Sequence, residues 1–206
     1  MADHLTGLGS ITPFFPDKYI NWVKPVKGNY EFSRSIDQFP GTVQEIVLNS
    51  EERPAKFEAQ LTFFDNTELT EILEFFNARQ GRLGAFWFKS QVQSFTIAGD
   101  ITQDDSNIRV VDNKFTKTFR GHERIYIELK DGSLLTYNLA SVQDSAGEII
   151  LQTETAVNQA VSVQNVKTLS FLFLMRLEAD NMQAEHVTDS KGNINITMTE
   201  VVKEYP

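Results

Sequence analysis

The chain contains no cysteine. That absence removes disulfides, thiolate zinc sites, iron–sulfur clusters and cysteine nucleophiles together. It agrees with a cytosolic birthplace without requiring one. Histidine is nearly missing as well, with only His4, His122 and His186 scattered along 206 positions. Each reads as a solvated loop side chain, and no serine sits in the strand-to-helix elbow that a Ser–His–acid triad needs. A glycine-rich phosphate loop is also absent, because Gly81-Arg82-Leu83-Gly84 follows a helical pattern whereas phosphate loops precede one. The longest clean apolar run, Phe171 to Met175, falls far short of the roughly 20 residues that cross a bilayer. Positive charge is scarce too. Lys and Arg number 19 against 28 Asp and Glu, a net charge of −9. Acid exceeds base in residues 1–90, 91–166 and 167–206 alike, so no segment carries the basic footprint of a nucleic-acid binder. Met1-Ala2-Asp3-His4 lacks the basic-then-apolar order of a secretory signal. Synthesis and use without passage through a membrane pathway are therefore expected.

What remains is an ordinary globular composition, 41% hydrophobic and 23% charged, long enough for one large domain or two small ones. Fifteen of the 23 aromatic residues lie in the first 90 positions. Phe14, Phe15, Tyr19, Trp22 and Tyr30 stand among Pro13, Pro16, Pro25 and Gly28 with no sustained period, which reads as an extended arm or irregular strand. Such an arm either laps a neighbouring subunit or packs on its own sheet.

Residues 55–64 alternate, with Phe57, Ala59, Leu61 and Phe63 on one face of a half-buried strand. Asp65 is placed to cap a helix, with Glu68 closing a capping box and Phe64 and Leu69 a hydrophobic staple. Leu69, Ile72, Leu73 and Phe76 form the apolar stripe, so Leu73→Asp is expected to cost several kcal/mol by burying a charge. Gly81 is expected as the left-handed cap of this helix, about 66–80, and Ala85 to Phe88 as an aromatic strand. From 91 to 166 short strands are parted by turns: Phe95 to Ile97, Ile108 to Val111, and Ile125, Ile127 and Leu129 against Tyr126 and Glu128. Asp131-Gly132 suggests a type I′ turn into Leu134 to Leu139, and Gly147 opens a strand over Glu148 to Leu151. Leu169 to Leu177 is apolar on both faces in its middle, as a central covered strand would be. After a turn at Asp189 to Asn193, Ile194, Ile196 and Met198 alternate against Asn195, Thr197 and Thr199.

Other candidate chemistry reads as structural. Asp100, Asp104, Asp105 and Asn107 form an acidic loop without EF-hand spacing, better suited to keeping an edge charged. Arg79 suits a helix C-terminus, with Arg82 and Lys89 solvated, rather than a phosphate grip. Asn195-Ile196-Thr197 is a formal sequon, read as chance. No cofactor, metal or catalytic residue is expected.

Glu68 to Phe88, ELTEILEFFNARQGRLGAFWF, resembles a segment of the distal tail (tail-tip ring) proteins of phages and gene-transfer agents. That pattern is a helix ending in paired aromatics, then Arg and Gly, then a strand of Phe and Trp. Lys24-Pro25-Val26 and the Arg53 to Phe64 strand sit where that family has its first sheet strands. Arg176-Leu177 with Asp180, and Gly192 to Glu200, are similar to its late strands. The resemblance implies a non-enzymatic virion protein, made in the host bacterial cytoplasm, forming a hexameric ring between the tail tube and the tail tip or baseplate. Its implied partners are copies of itself in the assembled tail, with a monomer as the alternative in isolation, and the tube and hub proteins. Sequence-specific nucleic acid and membrane are not among them. Phe14, Phe15, Tyr19 and Trp22 are the candidate subunit-interface residues.

The fold expected is mainly β (α+β): a β-sandwich or split-barrel, tail-tube-like domain with one packed helix, formed by 1–90 and 167–206. Residues 91–166 would be an inserted small β-barrel. The competing reading is a carbohydrate-binding β-sandwich for host-surface recognition, which would expose Trp22 or Trp87 on a concave face. Trp87 between two phenylalanines argues for burial instead. A tail-associated hydrolase is disfavoured by the missing triad.

Overall fold

The structure, a computed structural model, describes residues 14–21, 23–24, 26–30, 34–38, 44–48, 55–89, 95–112, 124–145 and 147–201, with backbone alone at 29–30, 34–38 and 44–48. His4, Trp22, Pro25 and His122 lie outside the described residues. In chain order the elements are β1 (Lys27–Tyr30), β2 (Arg34–Gln38), β3 (Gln44–Leu48), β4 (Ala55–Phe63), α1 (Asn66–Ala78), β5 (Phe86–Lys89), β6 (Asn107–Val111), β7 (Arg124–Leu129), β8 (Leu134–Ser145), β9 (Glu148–Thr153), β10 (Val166–Leu177), β11 (Ala184–His186) and β12 (Gly192–Glu200). The fold is mainly β with one helix and a curled antiparallel sheet. It divides into two compact units, Met1–Phe88 with Leu174–Pro206, and Lys89–Phe173.

In the first unit β4 lies between β1 and β12, all antiparallel, and β11 pairs with β12. β2 and β3 form a separate two-stranded antiparallel pair. Alternation along β4 and β12 puts Phe57, Ala59, Leu61 and Phe63 on the same side as Ile194, Ile196 and Met198, and all seven are buried. The opposite side is polar, with Gln60 facing Asn195 and Thr62 facing Asn193. Gly192 faces Phe63 in the same register.

Helix α1 starts as its sequence suggests. Asp65 accepts from the Glu68 N–H at 2.9 Å, and the Glu68 carboxylate reaches back to the Phe64 N–H at 2.7 Å, one residue before the cap. The Phe64 ring is exposed and carries the Lys191 ammonium 4.6 Å from its centroid, in place of the closed apolar staple expected there. The buried stripe is also turned from the expected one. Ile72 is fully buried, Leu73 is 38% exposed, and Phe75 packs inward instead. Phe75 finds aromatic partners on the arm and on β5, contacts that helical spacing alone does not reveal. At the C-terminus the Gly81 N–H bonds the Phe76 carbonyl and the Gln80 N–H bonds the Asn77 carbonyl, a Schellman arrangement. Gln80 (φ 51°) takes the first left-handed position and Gly81 (φ 63°) the second, so the left-handed cap begins one residue before the glycine.

In the second unit the antiparallel order is β10, β7, β8, β9, β6, using Val166 to Phe171 of β10. Residues 95–98 join the two ends of that order. The Phe95 N–H bonds the Leu169 carbonyl at 3.2 Å, while Val111 N–H bonds Thr96 and Ala98 N–H bonds Arg109 at 2.8 and 2.9 Å. The sheet therefore closes on itself. Within residues 95–97, expected as a strand, only a bridge from Ile97 to Val110 forms.

Two local expectations change in this unit. The β7–β8 turn has one left-handed residue, Gly132 (φ 87°), and the Gly132 N–H bonds the Leu129 carbonyl. That is a type I turn with a glycine bulge rather than type I′. Asp131 stays out of the left-handed region while its carboxylate accepts from both the N–H and hydroxyl of Ser133. β7 is also buried on both faces, with Tyr126 as inaccessible as Ile125 and Ile127. Glu128 is buried beside Lys167 at 2.5 Å and Lys89 at 3.9 Å, which offsets the cost of taking its charge from water.

Candidate functional site

The arm opens with two adjacent phenylalanines of opposite fate, Phe14 exposed and Phe15 buried. Phe14 bridges Trp87 in parallel, and the Phe15 N–H donates to the Trp87 carbonyl at 2.8 Å. Phe15 enters the core. Its ring meets Phe75 edge-on at 5.5 Å, Phe86 at 5.5 Å and Phe88 at 5.8 Å. Phe14 stays 40% exposed. Pro16, with φ −75°, leads into a single 3-10 turn at Asp17–Tyr19, which brings Tyr19 inward and Ile20 against Leu61.

Glu71 ties this turn to α1. Its carboxylate accepts from Lys18 at 2.8 Å and from the Tyr19 hydroxyl. The hydrogen bond to Glu71 raises the Lys18 pKa above the ordinary lysine value, and the same bond holds the Glu71 carboxyl below the ordinary carboxylate value. Burial, and then the bond to Glu71, push the Tyr19 phenol up. Of the four candidate interface residues, Phe15 and Tyr19 are thus taken up by the chain's own core and Phe14 remains exposed. Trp22 lies outside the described residues. Glu71 did not stand out in the sequence, and Phe75 did so only as one of the paired aromatics, because each acts through a residue more than fifty positions away.

The remaining candidates do not converge. Arg82 pairs with Asp180 at 2.7 Å, Lys89 lies near Glu128, and the Arg79 guanidinium reaches the Ala85 carbonyl at 3.5 Å. Asp100 accepts from the Val163 N–H and Ser162 hydroxyl, and Asp105 from the Asn107 N–H, so these carboxylates cap loops. Among the described residues no group of three or more His, Asp or Glu side chains is arranged to hold a metal ion. Trp87 is 7% exposed, which withdraws it from the sugar-stacking role of the competing reading. His186 packs its ring edge-on to Phe63 at 5.6 Å.

The polar side of the β4–β12 pair carries the geometry that sequence reading missed. A groove of about 290 Å³ runs along it, lined by Lys24, Lys27, Glu58, Gln60, Asn195 and Thr197. A relay of amides fixes its floor. The Asn21 side-chain N–H donates to the Gln60 carbonyl oxygen at 3.3 Å, and the Gln60 amide donates to the Asn195 oxygen at 3.1 Å. These residues alternate with apolar ones in the sequence and read simply as a wet strand face. Their convergence depends on a pairing partner 135 positions away.

No protein-family model matches the chain, and a search of curated proteins finds no match either.

Proposed function

We propose that the chain is a structural protein of a phage or phage-like tail, a subunit of a hexameric ring joining the tail tube to the tail tip or baseplate. The resemblance carried by Glu68 to Phe88 and by the two late strands motivates the reading. The observation that supports it most is the eight-pair ladder between β4 and β12, which brings early and late chain into one sheet, with the capped α1 between β4 and β5. A ring subunit needs such a shared layer. Among the described arm residues, Phe14 and Val23 stay exposed as apolar contributions to a subunit contact. A ring closes only if the rotation between heterologous contacts does. The excess of acid along the chain suits a lumen through which DNA passes without adhering.

Quantitative mass spectrometry of purified tail particles tests this. The chain is expected among the virion proteins at the copy number of a single ring. Its absence from particles that assemble normally while the chain is expressed overturns the proposal.

A further inference from the structure

The groove on the polar side of β4 and β12 has a direction that its residue types alone do not reveal. Asn21 uses its side-chain oxygen on the Val23 N–H and its nitrogen on Gln60. Gln60 in turn uses its nitrogen on the Asn195 oxygen. Each step spends one donor and one acceptor, and the amide nitrogen of the exposed Asn195 is left at the end of the relay as a donor. Lys24 and Lys27 add two ammonium groups, both exposed and neither in an ion pair among the described residues. Lys27 lies directly across from Glu58 in the β1–β4 register, yet no ion pair within 4.0 Å joins them. Thr197 supplies a hydroxyl, and Glu58 is the one carboxylate among the described lining residues.

We propose that this groove binds an anionic saccharide. Two lysines and an amide donor call for a ligand rich in acceptors, at least one of them charged. A polyanion without hydroxyl donors would meet only repulsion at Glu58, whereas the hydroxyls of a charged sugar ring donate to it. The volume, about 290 Å³, stands at the small end of ligand sites and suits one or two rings of a longer chain. Among the described lining residues none is aromatic, which disfavours a nucleobase that stacks. The site is independent of the ring proposal, and its test does not depend on assembly.

The full chain, labelled with nitrogen-15, is titrated with a galacturonic acid trimer and with a heparin tetrasaccharide. These arms separate carboxylate from sulfate as the charged group. Maltotriose serves as the neutral control and inorganic phosphate as the bare anion. At least one acidic oligosaccharide is expected to move the Asn195 side-chain and Thr197 signals, with affinity falling as salt is raised. Lys24→Gln, Lys27→Gln and Asn195→Ala are each expected to weaken it roughly tenfold while leaving the thermal midpoint unchanged. The proposal is overturned if neither acidic oligosaccharide binds at millimolar concentration or if the three variants bind as well as the parent. Equal binding of maltotriose or of inorganic phosphate at the same signals also overturns it.

Discussion

The ring of Phe63 occupies the space where a side chain on Gly192 would begin. A Cβ built there lies 2.5 Å from the Phe63 Cζ and 2.5 Å from the Glu185 carbonyl oxygen, so β12 can sit between β4 and β11 only with glycine at this position. Gly192→Ala should therefore cost about 3 kcal/mol, because one of the two obstacles is backbone. For a chain of this size that lowers the melting midpoint by on the order of 10 °C. Gly132→Ala, where nothing lies within 4 Å but φ is 87°, should cost only about 1 kcal/mol. Equal melting curves for the two variants would contradict the crowding.

The exposure difference between adjacent helix positions gives a second test. Ile72→Asp places a charge in the core and should cost about 4 kcal/mol or prevent folding. Leu73→Asp, at a position 38% open to water, should cost less than about 1.5 kcal/mol. Urea titrations of both proteins check this, and a Leu73 variant as unstable as the Ile72 one would restore the originally expected stripe.

Glu71 should make the attachment of the arm sensitive to acid. Its folded pKa lies below its ordinary value near 4.5, so its contribution to stability is fully present above that value and is lost as pH falls through the folded one. Lys18 acts in the opposite sense: its raised pKa gives a contribution present below 10.5 and lost only at higher pH. The melting difference between the parent and Glu71→Gln should therefore be largest near neutrality and shrink below pH 4. A difference that grows with acidification would show that Glu71 is not the latch.

Glu128 is flanked by Lys167 and Lys89 in the second unit. Glu128→Leu leaves the two ammonium groups without their shared carboxylate and should destabilise by about 1–3 kcal/mol. Adding Lys167→Met should recover part of that loss, a coupling measurable by a double-mutant cycle. Strict additivity would indicate that the lysines are satisfied by water.

Features built from near neighbours were legible in the sequence. The Asp65–Glu68 cap, the alternation of Phe57 to Phe63 and the double-sided burial of Leu169 to Leu174 all follow from residues within a few positions of one another. The choice between Leu73 and Phe75 was not legible, because it depends on Phe15, sixty positions earlier. The turn at Asp131-Gly132 was misread because the Ser133 contacts to the Asp131 carboxylate compete with the backbone preference of the dipeptide. Tyr126 looked like a wet-face residue because alternation records side-chain type and says nothing of whether a face is later covered. The groove residues were all visible as polar alternates, but the direction of their amide relay exists only once β4 and β12 are paired.

The segment 95–98, bonded to Leu169 on one side and to Arg109 and Val111 on the other, leaves both outer strands of the second unit occupied there. A foreign chain seeking to extend that ladder at those residues finds its donors and acceptors already spent. Strand-by-strand recruitment of another molecule, if this protein uses it, must then begin elsewhere than along this seam.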